Sequence, residues 1–107
     1  MNTPEIEPEL PEQQRVRQAD RTASRVIEGK AVVITIDSNR LHVLNPVGSR
    51  VWELSDGRSL SELVDAVVAE FEVERPRAAL DVRTFVRELL QMGALEPIAA
   101  AGPTEQA

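Results

Sequence analysis

The segment Arg40-Leu41-His42-Val43-Leu44-Asn45-Pro46-Val47-Gly48-Ser49-Arg50-Val51-Trp52 changes its hydrophobic period half-way along. Up to residue 44 it alternates, with Arg40, His42 and Leu44 set against Leu41 and Val43. That is the two-residue period of a strand. From Asn45 onward Val47, Val51 and Leu54 recur at i, i+4 and i+7, the spacing of a helix face, with Trp52 covering its side. Asn45-Pro46 marks the change. Asn is a preferred N-cap, and proline is tolerated at the first helical position, where its missing N–H has no partner to lose. Gly48 costs helix stability relative to alanine, so it predicts a place where another element packs closely. Ser55-Asp56-Gly57 predicts the end of this short helix.

Upstream of this junction the sequence reads as hairpins. Ser24-Arg25-Val26-Ile27 is a short strand candidate, and Glu28-Gly29-Lys30 a turn with Gly29 able to take a positive φ. Residues 31–37, Ala-Val-Val-Ile-Thr-Ile-Asp, are β-branched and almost continuously apolar. They predict a central strand covered on much of both faces. Asp37-Ser38-Asn39 is the next turn, and residues 40–44 the third strand. Short connections predict an antiparallel meander with the third strand at an open edge.

Downstream the sequence reads as helices. Ser59-Leu60-Ser61-Glu62 has the form of a capping box. Leu60, Leu63, Val64, Val67, Val68 and Phe71 follow at helical spacing. A last helix from Pro76 or Arg77 to Met92 carries Val82, Phe85, Val86, Leu89 and Leu90 as its apolar stripe, and Gly93 stands at the αL cap position. Leu95-Glu96-Pro97-Ile98 predicts a final extended segment, with Pro97 limiting sheet pairing. Strands followed by helices imply an α+β domain: a three-stranded antiparallel sheet, then three helices, in a winged-helix-like arrangement. Residues 1–22 are rich in Pro, Glu and Gln and predict a disordered acidic arm; 23–98 form the domain; 99–107 predict a disordered tail.

The totals narrow the function classes. The chain has 107 residues, 42% of them hydrophobic, enough for one small core. With no cysteine and a single histidine, His42, neither thiolate chemistry nor a histidine-rich metal site is available. No signal peptide is visible, and no apolar run approaches the roughly 20 residues that span a bilayer. A cytoplasmic protein with no membrane contact is expected. A net charge of −6 argues against nucleic acid as the main partner, because that affinity comes from neutralising phosphates. His42, the best acid–base candidate, sits on a strand edge and reads as a groove residue. No catalytic residue, metal or cofactor is expected.

An open edge is a template for an added strand. If the last helix lies beside it, a groove forms between backbone groups and a helix face. The expected peptide-binding residues are Arg40, Leu41, His42, Val43 and Leu44 on the strand, with Arg83, Val86, Arg87 and Leu90 on the helix. Val43 or Leu44, Val86 and Leu90 would line pockets, and Arg83 and Arg87 would clamp acidic side chains. For Val86 and Leu89 a plain core position is an equal alternative. Arg75, Arg77, Arg83 and Arg87 also permit a winged-helix DNA-binding regulator. A module that only docks on and stabilises a partner enzyme is a third reading.

The run from Asp37-Ser38-Asn39 through Leu44-Asn45, Gly48 and Trp52 resembles the PqqD family. So do Asp56-Gly57-Arg58 before the capped helix, Asp81-Val82…Phe85…Leu89, and Gly93-Ala94-Leu95. These are the small proteins and fused domains also called RiPP precursor recognition elements, and the likeness is to the discrete, stand-alone form. The resemblance covers residues 23–98. It implies three strands and three helices that bind the leader segment of a ribosomally made precursor, added beside the third strand and against the third helix. It implies a non-catalytic peptide chaperone. The precursor would pass to a modifying enzyme such as a radical SAM enzyme, a cyclodehydratase or a leader protease. A monomer or weak dimer is expected. The acidic arm is not part of the family pattern.

Overall fold

In the computed structural model, which describes residues 10–98, the change of period at Asn45 is the passage from strand to helix. The elements are β1 (Arg15–Gln18), β2 (Thr22–Ile27), β3 (Lys30–Thr35), β4 (Arg40–Val43), α1 (Pro46–Leu54), β5 (Asp56–Ser59), α2 (Leu60–Phe71), α3 (Arg75–Gln91) and β6 (Leu95–Ile98). The class is α+β, as expected. There are, however, two three-stranded antiparallel sheets, β2-β3-β4 and β5-β1-β6.

The helix boundaries follow their local signals. Asn45 caps α1, its Oδ1 accepting from Gly48 N–H at 2.8 Å. The capping box of α2 is complete: Glu62 N–H donates to Ser59 Oγ at 3.2 Å, and Ser59 N–H to Glu62 Oε1 at 2.9 Å. Such a cap contributes about 0.5–2 kcal/mol. Gly93 follows α3 at φ 79°, in the left-handed region. Gly48 is where α1 meets α3. A Cβ built there would lie 2.5 Å from Phe85 Cε1, so no larger residue fits without displacing the ring.

The second sheet corrects the reading of residues 1–22 as a disordered arm. β1 is the middle strand of β5-β1-β6, and Val16 is fully buried. Gln18 N–H donates to Ser55 O at 3.0 Å and Ala19 N–H to Ala94 O at 2.9 Å. Val16 is the one apolar side chain in Arg-Val-Arg-Gln, so local pattern carries little strand signal. Order comes from partners far along the chain. The remainder of the expected arm before residue 10, and the expected tail at 99–107, lie outside the described residues. Asp56-Gly57 does more than stop α1, since Asp56–Ser59 pairs with β1. Nor does Pro97 prevent pairing: Leu95–Ile98 matches β1 over all four positions. β6 is an edge strand. The Ala19–Ala94 bond sets the alternation so that the Pro97 nitrogen points away from β1, where no donor is needed.

The core lies between the helices and the inner faces of the sheets, built from Val33, Val51, Trp52, Leu63, Val82 and Leu89 among others. Each such side chain is worth about 1.5–3 kcal/mol on burial. Ser49 of α1 ties the helix to the sheet. Its hydroxyl accepts from Ala31 N–H at 2.7 Å and donates to Leu44 O at 3.1 Å, so it stands in the last rung of the β3–β4 ladder. Arg50 joins α1 to α2 through Glu70 at 2.8 Å and also meets Glu53 at 3.1 Å. The hydrogen bond to Glu70, then that to Glu53, raises the guanidinium pKa above its ordinary value.

β3 departs from expectation on one face. Ala31, Val33 and Thr35 are buried, whereas Ile34 is exposed and Val32 half-buried. Among the described residues, the strand is fully covered on its inner face only.

Candidate functional site

Among the described residues, β4 has β3 on one side and no strand on the other. The direction of its backbone groups follows from one bond. Leu44 N–H donates to Ala31 O at 2.9 Å, which makes Leu44–Ala31 a hydrogen-bonded pair. Antiparallel pairs alternate. His42–Val33 and Arg40–Thr35 therefore also turn their backbone groups toward β3. Leu41 and Val43 turn theirs outward, so the open edge offers the N–H and C=O of those two residues.

Side chains alternate independently of this. His42 and Arg40 lie on the inner face, opposite buried Val33 and Thr35, while Leu41 and Val43 lie on the outer face, opposite Ile34 and Val32. On the inner side a cleft of about 550 Å³ separates the start of β4 from the last turns of α3. It is lined by Ser38, Arg40, Glu88, Gln91 and Met92. A neighbouring cleft of about 360 Å³ shares Ser38 and Met92 and continues past Asp37 and Asp20 to Glu96. The wall is thus Arg40 on the strand, a carboxylate and an amide on the helix, and one thioether. His42, two residues on from Arg40 along the inner face, is half-buried and lines neither cleft. Its Nε2 is buried without a hydrogen-bond partner among the described residues.

The residues expected to bind peptide divide into two groups. Arg40, Leu41, His42 and Val43 stand at the open edge. Leu44 does not: it is buried in the core, and its N–H is spent on β3. Val86 is fully buried in the core and offers no pocket surface, and Leu90 is half-buried against the same core. Arg83 lies on the α2 side of α3. There it lines a small pocket with Glu12, Leu60, Ser61, Val64, Arg75 and Ala79. Arg87, four residues on, is on the same flank and half-buried. The helix has two flanks beside its core stripe, and β4 faces the one carrying Glu88 and Met92. Nothing in the sequence distinguishes the flanks. Once Gly48 is known to seat Phe85, the residues at i+3 and i+7 from Phe85 follow.

The basic face that a DNA-binding reading needs is partly engaged. Arg75 pairs with Asp65 at 2.6 Å and Arg77 with Asp81 at 3.3 Å. Among the described residues no group of three or more His, Cys, Asp or Glu is placed to hold a metal, and no helix is long and apolar enough to cross a membrane.

Together these features define a small α+β domain with an open strand edge beside a helix-walled cleft. Residues 30–95 match the family described as Coenzyme PQQ synthesis protein D (PqqD), and the chain belongs to that family. The structure is similar to that of TbiB1 in complex with the TbiA(beta) leader peptide, at 34% identity and a TM-score of 0.71. That likeness covers 78% of this chain and 98% of TbiB1. It is also similar in fold to a lasso peptide synthetase B1 complexed with the leader peptide. There the identity is 24% and the TM-score 0.67, over 78% of this chain and 99% of that one. No curated protein matches the chain.

Proposed function

We propose that this protein binds the leader segment of a ribosomally synthesised precursor peptide by strand addition to β4, and presents it to a modifying enzyme in the cytoplasm without catalysing a reaction itself. The observation that carries the reading is the open edge at Leu41 and Val43, with its backbone groups turned outward beside the cleft of about 550 Å³. An extended peptide there gains main-chain hydrogen bonds, and its alternate side chains enter the cleft or lie on the outer face. The similarity to TbiB1, whose structure holds a leader peptide, supports the same assignment. The binding residues are Arg40, Leu41, His42 and Val43 on the strand and Glu88, Gln91 and Met92 on the helix. Arg40 suits a leader carboxylate and Glu88 a leader cation.

The test is a titration of isotope-labelled protein with the precursor peptide encoded beside it. Amide shifts are expected in residues 40–43 and 88–92. Signals that stay still at saturating peptide, in a folded protein, would sink the assignment. Binding of the modifying enzyme with no binding of peptide would favour a stabilising module instead.

A further inference from the structure

The inner-side groove does not stop where β4 begins. Past Arg40 the cleft of about 550 Å³ meets the second one of about 360 Å³, with Ser38 and Met92 lining both. Three connections converge on this second cleft. They are the β1–β2 turn at Asp20 and Arg21, the β3–β4 turn at Asp37 and Ser38, and the turn after α3 at Met92. Glu96 of β6 completes the wall, so the cleft joins the first sheet to the second. The leader contacts proposed above reach Met92 and go no further.

The acids of this cleft are not equivalent. Asp37 is held by Arg21 at 2.6 Å, and Glu96 by Arg17 at 2.8 Å. Asp20 forms no ion pair among the described residues. Two matched pairs therefore leave one unmatched negative charge. The carboxylates are not grouped to hold a metal ion. What the cleft suits is one long cationic side chain. Its stem lies over Met92, 39% exposed at the shared wall, and its head sets beside Asp20. Alternation says which leader residue supplies it. In a strand paired with β4, the residue facing Leu41 lies on the outer side and the residue facing Arg40 on the inner side, at the first cleft. Counting from the residue that faces Leu41 toward the Arg40 end, the third is the next to point inward. It stands about 10 Å along, past the end of β4 and at the second cleft.

We propose that the second cleft is a further subsite for the precursor, and that it takes a lysine or arginine side chain from the third residue beyond the one facing Leu41. The proposal rests on strand addition at β4 and names a side chain the bound precursor carries. The subsite also sets the register of the added strand. Backbone bonds at Leu41 and Val43 survive a slip of two residues, but such a slip takes the cation away from Asp20. A slip of one turns it to the outer face.

The test uses the full chain and the labelled leader peptide of the precursor encoded beside it, read by fluorescence anisotropy. Each Lys and Arg of the leader is replaced in turn by Gln. The protein is used as it is and as Asp20→Asn, a change at an exposed turn that leaves the core untouched. Nuclear Overhauser contacts from the Leu41 amide identify the leader residue facing it. Gln at the third residue beyond that one is expected to lower affinity about two- to fivefold, and Asp20→Asn by a similar factor. The two losses are expected not to multiply when combined, and to shrink at high salt. Asp20→Lys is expected to regain affinity for a leader carrying Glu at that position. A leader that binds at residues 40–43 but loses nothing with any Gln substitution overturns the proposal and leaves strand addition standing. So does a loss that multiplies fully with that of Asp20→Asn. A natural leader that does not bind the natural protein overturns strand addition, and the subsite with it. Circular dichroism checks the fold of each variant, and the Gln leaders carry the test without any protein variant.

Discussion

Replacing Val43 or Leu44 by proline separates the backbone edge from the fold. The two residues are adjacent, but their N–H groups point in opposite directions. Leu44 N–H bonds Ala31 O at 2.9 Å, while alternation sends Val43 N–H to the open side. Val43→Pro therefore removes one bond to an added strand, about 0.5–1.5 kcal/mol, or roughly two- to thirteenfold in affinity. The proline ring also occupies the space a leader carbonyl would approach, so the upper end is expected. Fold stability falls only by the cost of bending one edge residue, about 1–2 kcal/mol. Leu44→Pro loses the ladder bond and leaves Ala31 O without its donor, about 1–3 kcal/mol. It also shortens a buried side chain, about 1–2 kcal/mol more. The sum lowers Tm by roughly 10 °C or more. Fluorescence anisotropy with labelled leader peptide and thermal unfolding by circular dichroism read the two effects. A folded Val43→Pro protein with natural leader affinity removes strand addition at β4. Val43→Pro unfolding while Leu44→Pro stays folded refutes the deduced direction of the N–H groups.

Three further changes test the architecture that holds this edge in place. Val16→Ala is expected to cost about 2 kcal/mol in urea unfolding, because Val16 is fully buried, whereas a residue in a disordered arm costs nothing. Ser49→Ala withdraws the hydroxyl between Ala31 N–H and Leu44 O, with an expected loss of about 1–3 kcal/mol; an unchanged midpoint would mean the two groups bond each other directly. Gly48→Ala improves helix propensity by about 1 kcal/mol yet drives a methyl to 2.5 Å from Phe85 Cε1. Net destabilisation of about 1–2 kcal/mol is expected, relieved by Phe85→Leu, and a stabilised variant would dismiss the close approach.

What could be read before folding depended on how far each signal reaches along the chain. Asn45, the Ser59–Glu62 box and Gly93 act within one turn of themselves, and each lies where the sequence places it. The strand at Arg40–Val43 and its open side followed from alternation and short turns. β1 and β5 were not legible, because Val16 is one valine between arginines and Asp56-Gly57 has turn chemistry. Their order is made by each other and by Leu95–Ile98. The candidate site divides the same way. Its strand residues are expected at 40–44, and 40–43 stand at the open edge while Leu44 is buried. Its helix residues are expected at Arg83, Val86, Arg87 and Leu90, whereas Glu88, Gln91 and Met92 line the cleft. Core stripes identify which helix face is buried, but a choice between its two flanks needs the crossing of α1 and α3 at Gly48 and Phe85.

The open edge is short, and that has a consequence for how such a domain diversifies. Only Leu41 and Val43 turn their backbone groups outward, and amides and carbonyls are the same in every peptide. That part of the contact is blind to the identity of its guest. If a leader binds there as proposed, discrimination falls on a few side chains around it: Arg40, His42, Glu88 and Met92. Arg40, Glu88 and Met92 are exposed, so each can change at little cost to the fold, whereas His42 is half-buried with its Nε2 enclosed and is more constrained. We infer that a scaffold of this kind can be re-addressed to a new precursor by a handful of substitutions. A library varied at those positions should yield altered peptide preference at unchanged Tm, and loss of folding across the library would count against it. On the proposed reading, the backbone would make the protein a general receptor for extended chains, and a few side chains would make it a particular one.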